Sequence, residues 1–188
     1  MSPRHVLFVG LPGAGKTTIA RAVGARIGRD VVELDEEIER IAGTAVKRIF
    51  ASFGEVGFRR FEVEATRHLL DRSESALVSA GGGWIANRRA RELVPGDWPI
   101  LYLRVSPATA AARLAESAAA RPLLAGAGVG AGARSPERLT HRLEELAAER
   151  SALYERADAV VDTEAEPMDA VVDQVARLVQ AWLGERPK

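Results

Sequence analysis

Hydrophobic and polar positions along this chain follow two alternating rhythms. Short, nearly continuous apolar runs recur at His5–Val9, Val31–Leu34, Ala76–Ala80, Ile100–Leu103 and Ala159–Val161. Runs this short, without polar alternation, are what strands buried on both faces require. Between them the apolar spacing shifts to three and four residues, the period of a helix. Thr17–Ile27 carries Ile19, Ala20, Val23 and Ile27 on one face. Asp35–Ile41 and Val46–Phe53 read as two short helices broken at Gly43, and Gly57–Leu70 as a stronger one with Phe58, Phe61, Ala65 and Leu69 in register. Pro107–Leu114, Pro136–Tyr154 and Met168–Leu183 complete the helical set. The last bears a stripe of Val171, Val172, Val175, Val179 and Trp182, most simply a packing face. Strands alternating with helices call for right-handed crossovers and a parallel sheet covered on both sides. The segment Ala118–Ser135 breaks the rhythm with a Gly/Ala run from Ala125 to Ala133. That composition favours flexible chain, and an insertion of this length reads as a functional lid or a disordered insertion.

Composition narrows the class without pointing to chemistry. With 188 residues, the chain is expected to form one domain spanning 1–188, large enough to bury a core unaided. Hydrophobic residues at 47% and charged residues at 28% exclude wholesale disorder and fibrous designs. No apolar run reaches the ~18 residues of a membrane span, and Met1–Arg4 carries no signal-peptide pattern. Cytoplasm is therefore the default expectation. Twenty-six basic against 26 acidic residues leave no net charge, which argues against a nucleic-acid or anionic-membrane binder. The absence of cysteine excludes disulfides, thiolate nucleophiles and cysteine zinc sites. Arginine supplies nearly all the positive charge. The lysines are Lys16, Lys47 and Lys188, so the position of each is informative.

Lys16 falls in Gly10-Leu11-Pro12-Gly13-Ala14-Gly15-Lys16-Thr17, a G-x-x-x-x-G-K-[ST] phosphate cradle. An apolar strand precedes it and an amphipathic helix follows, as the motif needs. Its glycines let backbone N–H groups converge on phosphate oxygens, and the helix N-terminus adds positive potential. The expected nucleotide-binding residues are Gly13, Ala14, Gly15, Lys16, Thr17 and Thr18, with Lys16 reaching the β- and γ-phosphates and the Thr17 hydroxyl suiting Mg2+. The cradle implies a nucleoside triphosphate and no more, since GTPases, ATPases and small kinases share it.

Three further segments bear on the acceptor. Glu33-Leu34-Asp35 follows the second strand, at the carboxyl end of the sheet where ligands bind. On extended chain both carboxylates would look into one cleft, one assisting Mg2+ and the other orienting or deprotonating a hydroxyl. Asp35 could equally be a plain helix N-cap. In Gly54–Glu62 the phenylalanines anchor a helix face while Arg59, Arg60 and Glu62 lie off it, with Glu62 placed to orient Arg59. The same pattern suits a solvated charged face. Gly81-Gly82-Gly83 ends the third strand at the cradle's edge of the sheet, and reads either as a close approach to a ligand or as a tight turn.

Taken in order, the cradle, the acidic pair, G-E-x-x-F-R-x-x-E from Gly54, the triple glycine, Arg121-Pro122-Leu123-Leu124 and Arg150-Ser151-Ala152-Leu153-Tyr154 resemble the shikimate kinase family over nearly the whole chain. The resemblance implies a P-loop kinase three-layer α/β sandwich, a five-stranded parallel sheet of order 2-3-1-4-5, a substrate-binding region over 33–72 and a lid over 115–135. It implies ATP and Mg2+ as cofactors and transfer of phosphate to the 3-hydroxyl of shikimate by a monomer. Asp35 would hold the hydroxyl and act as base. Arg59 and Arg150 would grip the carboxylate, and Gly81, Gly82 and Gly83 would line the same pocket. Arg121 would reach the transferring phosphate from the lid, Arg113 would serve the adenine side, and Thr17 with Glu33 would serve the metal. The family's D-x-D stands here as Glu33-Leu34-Asp35, and the lid carries a Gly/Ala-rich extension. Trp84 is placed to wall the pocket or to fill the core. His5, His68 and His141 have no metal or triad spacing, and Arg88–Arg91 reads as a solvated cluster. A small-metabolite P-loop kinase acting on gluconate or a nucleotide, and a carboxylate sensor without catalysis, remain as alternatives.

Overall fold

A computed structural model describes residues 5–116 and 136–184. The element order is β1 (His5–Val9), α1 (Lys16–Ile27), β2 (Asp30–Glu33), α2 (Leu34–Ala42), α3 (Val46–Leu70), β3 (Ala76–Ser79), a 3-10 turn (Trp84–Ala86), α4 (Arg88–Arg91), β4 (Ile100–Arg104), α5 (Pro107–Glu116), α6 (Pro136–Tyr154), β5 (Ala159–Asp162) and α7 (Met168–Trp182). The strands form one parallel sheet in the order β2-β3-β1-β4-β5, as the family resemblance implies. Arg121 and nearly all of the segment expected to form the lid lie outside the described residues.

β1 occupies the centre of the sheet. It pairs with β3 from His5 opposite Ala76 to Phe8 opposite Ser79, and with β4 from Leu7 opposite Ile100. All five of its residues are buried, which is why the run needs no polar alternation. Helices cover the sheet, α1 packing with α7 and α5 with α6. The valine stripe of α7 is buried at Val171, Val172, Val175 and Val179, the packing role its period predicts. His5 is structural too. Its Nδ1 accepts from the Ala76 N–H at 3.0 Å, so Nε2 carries the proton and donates to the Leu69 carbonyl at 2.9 Å. That neutral ring ties the end of α3 to β1 and β3.

Val46–Leu70 holds two helical stretches that meet at a kink at Gly54 (φ 63°, ψ −169°), as the pattern predicts. Phe50 and Phe58 stack across the break with ring centroids 4.5 Å apart, so apolar contact holds the two halves together. The break at Gly43 between α2 and α3 is as expected. The 3-10 turn and α4 are too short to show a period, and the sequence does not announce them.

Candidate active site

The phosphate cradle leaves the carboxyl end of β1 and turns into α1. Gly13 sits at φ 85°, and a Cβ there would stand 2.6 Å from the Ala110 carbonyl oxygen, so only glycine fits. The Ala14 N–H donates to the Leu11 carbonyl at 3.1 Å, closing the loop. Lys16 is 4% exposed. Its ammonium donates to the carbonyls of Gly10 (3.0 Å) and Leu11 (2.9 Å), which hold it across the loop mouth. Burial of an ammonium demands such partners. Thr18 is exposed on the outer side of α1.

Beside the loop lies a cavity of about 20 Å³ bounded by Lys16, Thr17, Glu33, Asp35, Ser79 and Gly81. Both acidic residues therefore face one space, as expected, although the backbone route differs: Glu33 ends β2 while Asp35 opens the first turn of α2. The N-cap position belongs to Glu33, which makes no side-chain cap bond, so Asp35 is not the plain cap considered above. The Thr17 hydroxyl donates to Glu33 Oε2 at 2.8 Å and lies 3.2 Å from the Ser79 hydroxyl. Arg21 pairs with the other Glu33 oxygen and with Glu36. The Glu33 carboxylate thus meets both the threonine and the arginine. Among the described residues no cluster of three or more His, Asp or Glu could hold a metal by itself. The hydroxyl and carboxylate oxygens at Thr17 and Glu33 do suit Mg2+, which binds through few protein ligands plus water and substrate phosphates.

The triple glycine joins this cavity to the arginines. A Cβ on Gly81 would lie 2.7 Å from Asp35 Oδ1, one on Gly82 2.9 Å from the Pro12 ring of the cradle, and one on Gly83 2.7 Å from both terminal nitrogens of Arg59. The turn therefore touches the cradle, the acid and the guanidinium at once, which a tight turn alone would not require. From α6, the buried Arg150 donates through Nη1 to the Gly82 carbonyl at 2.6 Å. The Tyr154 hydroxyl donates to the same oxygen at 3.3 Å, and Tyr102 stacks on its ring 4.6 Å away. Burial pushes the Tyr154 hydroxyl up to about 12, so it remains a donor at neutral pH.

Arg59 and Glu62 overturn the solvated-face reading. The Glu62 side chain is 2% exposed and that of Arg59 19%. Arg59 donates to Glu62 Oε2 and to Glu55 Oε1, both at 2.8 Å. Burial raises the Glu62 carboxyl above its ordinary range, only partly offset by Arg59 and Asn87. Burial works against the charge of Arg59, but Glu62 and Glu55 outweigh it and raise its pKa. Arg60 does face solvent. Asn87, which the sequence reading passed over, donates to Glu62 Oε2 at 3.0 Å. Its place four residues past the last glycine, as an asparagine ahead of a helix start, is the one signal that could have drawn notice. Trp84 is fully buried and donates to Thr66 Oγ1 at 3.0 Å, a core residue rather than a pocket wall. Arg113 is engaged by Thr163, through its hydroxyl (3.1 Å) and its carbonyl (2.7 Å). Arg88 and Arg89 are exposed, Arg88 paired with Glu92, while Arg91 is half-buried, so only part of the expected solvated cluster faces water.

Sheet order and cradle together place the chain among the small P-loop kinases. A family model described as shikimate kinase matches residues 12–180. Shikimate kinases of Stenotrophomonas maltophilia and Chlorobium chlorochromatii are 37% and 35% identical, each over at least 95% of this chain and 93% of their own length. The structure of a shikimate kinase from Acinetobacter baumannii in complex with shikimate superposes with a TM-score of 0.81 at 28% identity, covering 95% of this chain and 94% of that one. The chain belongs to the shikimate kinase family. A gluconokinase from Sinorhizobium meliloti shares the fold alone, at 16% identity and TM-score 0.61. The gluconate, nucleotide and sensor alternatives are not favoured.

Proposed function

We infer that this chain transfers the γ-phosphoryl group of ATP to the 3-hydroxyl of shikimate, giving shikimate 3-phosphate and ADP on the route to chorismate and the aromatic amino acids. One observation carries the reading. The Gly81–Gly83 turn packs against Asp35, Pro12 and Arg59 together, so donor and acceptor sites share a wall. A hydroxy acid held by its carboxylate near Arg59 and Arg150 would present a hydroxyl toward Asp35 and the cradle.

Phosphoryl transfer asks the protein mainly for alignment and charge stabilisation. The backbone of Gly13, Ala14 and Gly15 receives the phosphates, with Thr18 at the cradle's rim. Lys16 leaves its two carbonyls for the phosphate oxygens, a stronger charge-assisted pairing. Asp35 takes the proton of the attacking hydroxyl as the O–P bond forms and the bond to the departing ADP oxygen breaks. Arg59 and Arg150 bind the substrate carboxylate, and forked guanidinium bonds fix its orientation. Thr17 and Glu33 would hold Mg2+, which supplies positive charge against the phosphates when bound. Arg121 lies outside the described residues and is assigned to the transferring phosphate by the family resemblance alone, while Arg113, steadied by Thr163, serves the adenine side. A monomer in the cytoplasm, as expected from the sequence, is part of the same proposal.

A coupled assay of ADP release with shikimate, gluconate and nucleoside monophosphates as acceptors tests the reading. Turnover that requires shikimate is expected. Turnover on gluconate alone, or binding of shikimate without ADP release, would overturn it.

A further inference from the structure

We propose that Asn87 is a positioning residue of the acceptor site: its carboxamide orients the Glu62 carboxylate and, through it, the Arg59 guanidinium that receives the substrate carboxylate. The inference rests on the shikimate kinase reading and adds to it a residue outside every motif that led there.

Asn87 closes the 3-10 turn that follows the triple glycine, and it is 8% exposed. Its Nδ2 donates one hydrogen to the Arg59 carbonyl at 2.9 Å and the other to Glu62 Oε2 at 3.0 Å. Its Oδ1 accepts from the Ala90 N–H at 3.4 Å. A flipped amide would set oxygen against two oxygens and nitrogen against an N–H, so one orientation alone satisfies all three contacts. Arg59 is thus pinned at two places, its backbone by Asn87 and its Nη1 by the carboxylate that Asn87 also holds. Gly83 bounds the guanidinium on another side. The charged groups that act on Glu62 are Arg59 on its own helix and Asp35 from α2, with Glu55 on the far side of Arg59. Asn87 adds a donor there without adding a charge.

Capping α4 does not explain this arrangement. A cap needs only Oδ1, and aspartate caps as well as asparagine. The two Nδ2 bonds face away from α4, toward α3. Asn87→Asp therefore separates the roles, since it keeps the cap oxygen and replaces the donor with a second carboxylate beside Glu62. Two carboxyl groups this close share one proton at low pH and repel as it is lost.

The test compares steady-state kinetics of the full chain, wild type against N87D and Asn87→Ser, from about pH 6 to about pH 9. Serine keeps a cap oxygen, is too short to reach Glu62 and adds no charge. N87D should raise the KM for shikimate about tenfold at the alkaline end and recover toward wild type at the acid end. N87S should raise it about threefold to tenfold across the range with no added pH dependence. In both, the KM for ATP and kcat should stay within about twofold of wild type. Wild-type KM values in N87S overturn the inference, as does a matched fall in kcat and both affinities in the two variants. Wild-type protein that ignores shikimate would overturn the functional reading instead, so the two failures are distinguishable.

Discussion

The guanidinium of Arg150 donates to the carbonyl oxygen of Gly82 at 2.6 Å, joining two residues 68 positions apart in the chain. That bond brings α6 against the glycine turn and so against Asp35, Pro12 and Arg59. Arg150→Ala should raise the KM for shikimate about 10- to 100-fold, the range for one or two charge-assisted hydrogen bonds, with little change for ATP. An unchanged shikimate KM would remove Arg150 from the acceptor site.

Lys16→Ala should cut kcat about a thousandfold or more, because no neighbouring group in the loop can replace a buried ammonium at the phosphates. Far-ultraviolet circular dichroism should match wild type, since the Gly10 and Leu11 carbonyls that receive the Lys16 ammonium belong to its own loop and to no helix or strand. Residual turnover near wild type would refute its role.

Arg59→Ala should chiefly damage shikimate binding, again about 10- to 100-fold in KM. Removing one partner of a buried ion pair ordinarily costs about 3–5 kcal/mol. The loss of stability here should be smaller, because burial already raises the Glu62 carboxyl and lets it take up a proton when Arg59 is gone. Chemical denaturation of the variant at about pH 6 and about pH 8 checks this, and the lower pH should be the more stabilising.

Gly83→Ala and Gly13→Ala should fail in different ways. At Gly83 a methyl would meet the end of the Arg59 side chain, which can swing aside, so the fold survives while shikimate affinity falls. At Gly13 it would meet the Ala110 backbone at a positive φ, so stability and nucleotide binding fall together. Melting temperature beside the two KM values separates the outcomes.

The clip between α2 and α3 makes a prediction about acid. Glu37 accepts from Arg40 (2.6 and 2.8 Å) and from His68 (2.8 Å). The Arg40 bond, opposed by burial and helped by His68, lowers its carboxyl from 4.5 to about 2. A pKa lower in the folded state gives stability that is present above 4.5 and lost as pH falls toward 2. Glu37→Gln should therefore melt lower than wild type at neutral pH, with the difference closing in that acid window. Glu62 acts in the opposite sense, its raised carboxyl favouring the fold at low pH and less so as pH rises through it.

Much of this protein was legible in residue order alone. The alternation of buried runs with three-and-four spacing dictates parallel strands and covering helices, because period reports which faces exclude water. The cradle is legible for the same local reason: its glycines, lysine and threonine work through backbone geometry within eight consecutive residues. What lies across the chain was not. The spacing of Arg59 and Glu62 left an oriented pair and a solvated face both open, since a buried pair and a solvated pair have the same spelling. Asn87 read as nothing, since Arg59 and Glu62, the partners that give it a role beyond capping, lie on α3. Burial and partnership are decided only when β3, α3 and α6 pack around the Gly81–Gly83 turn, because desolvation depends on every neighbour at once and a linear pattern records only those a few residues away.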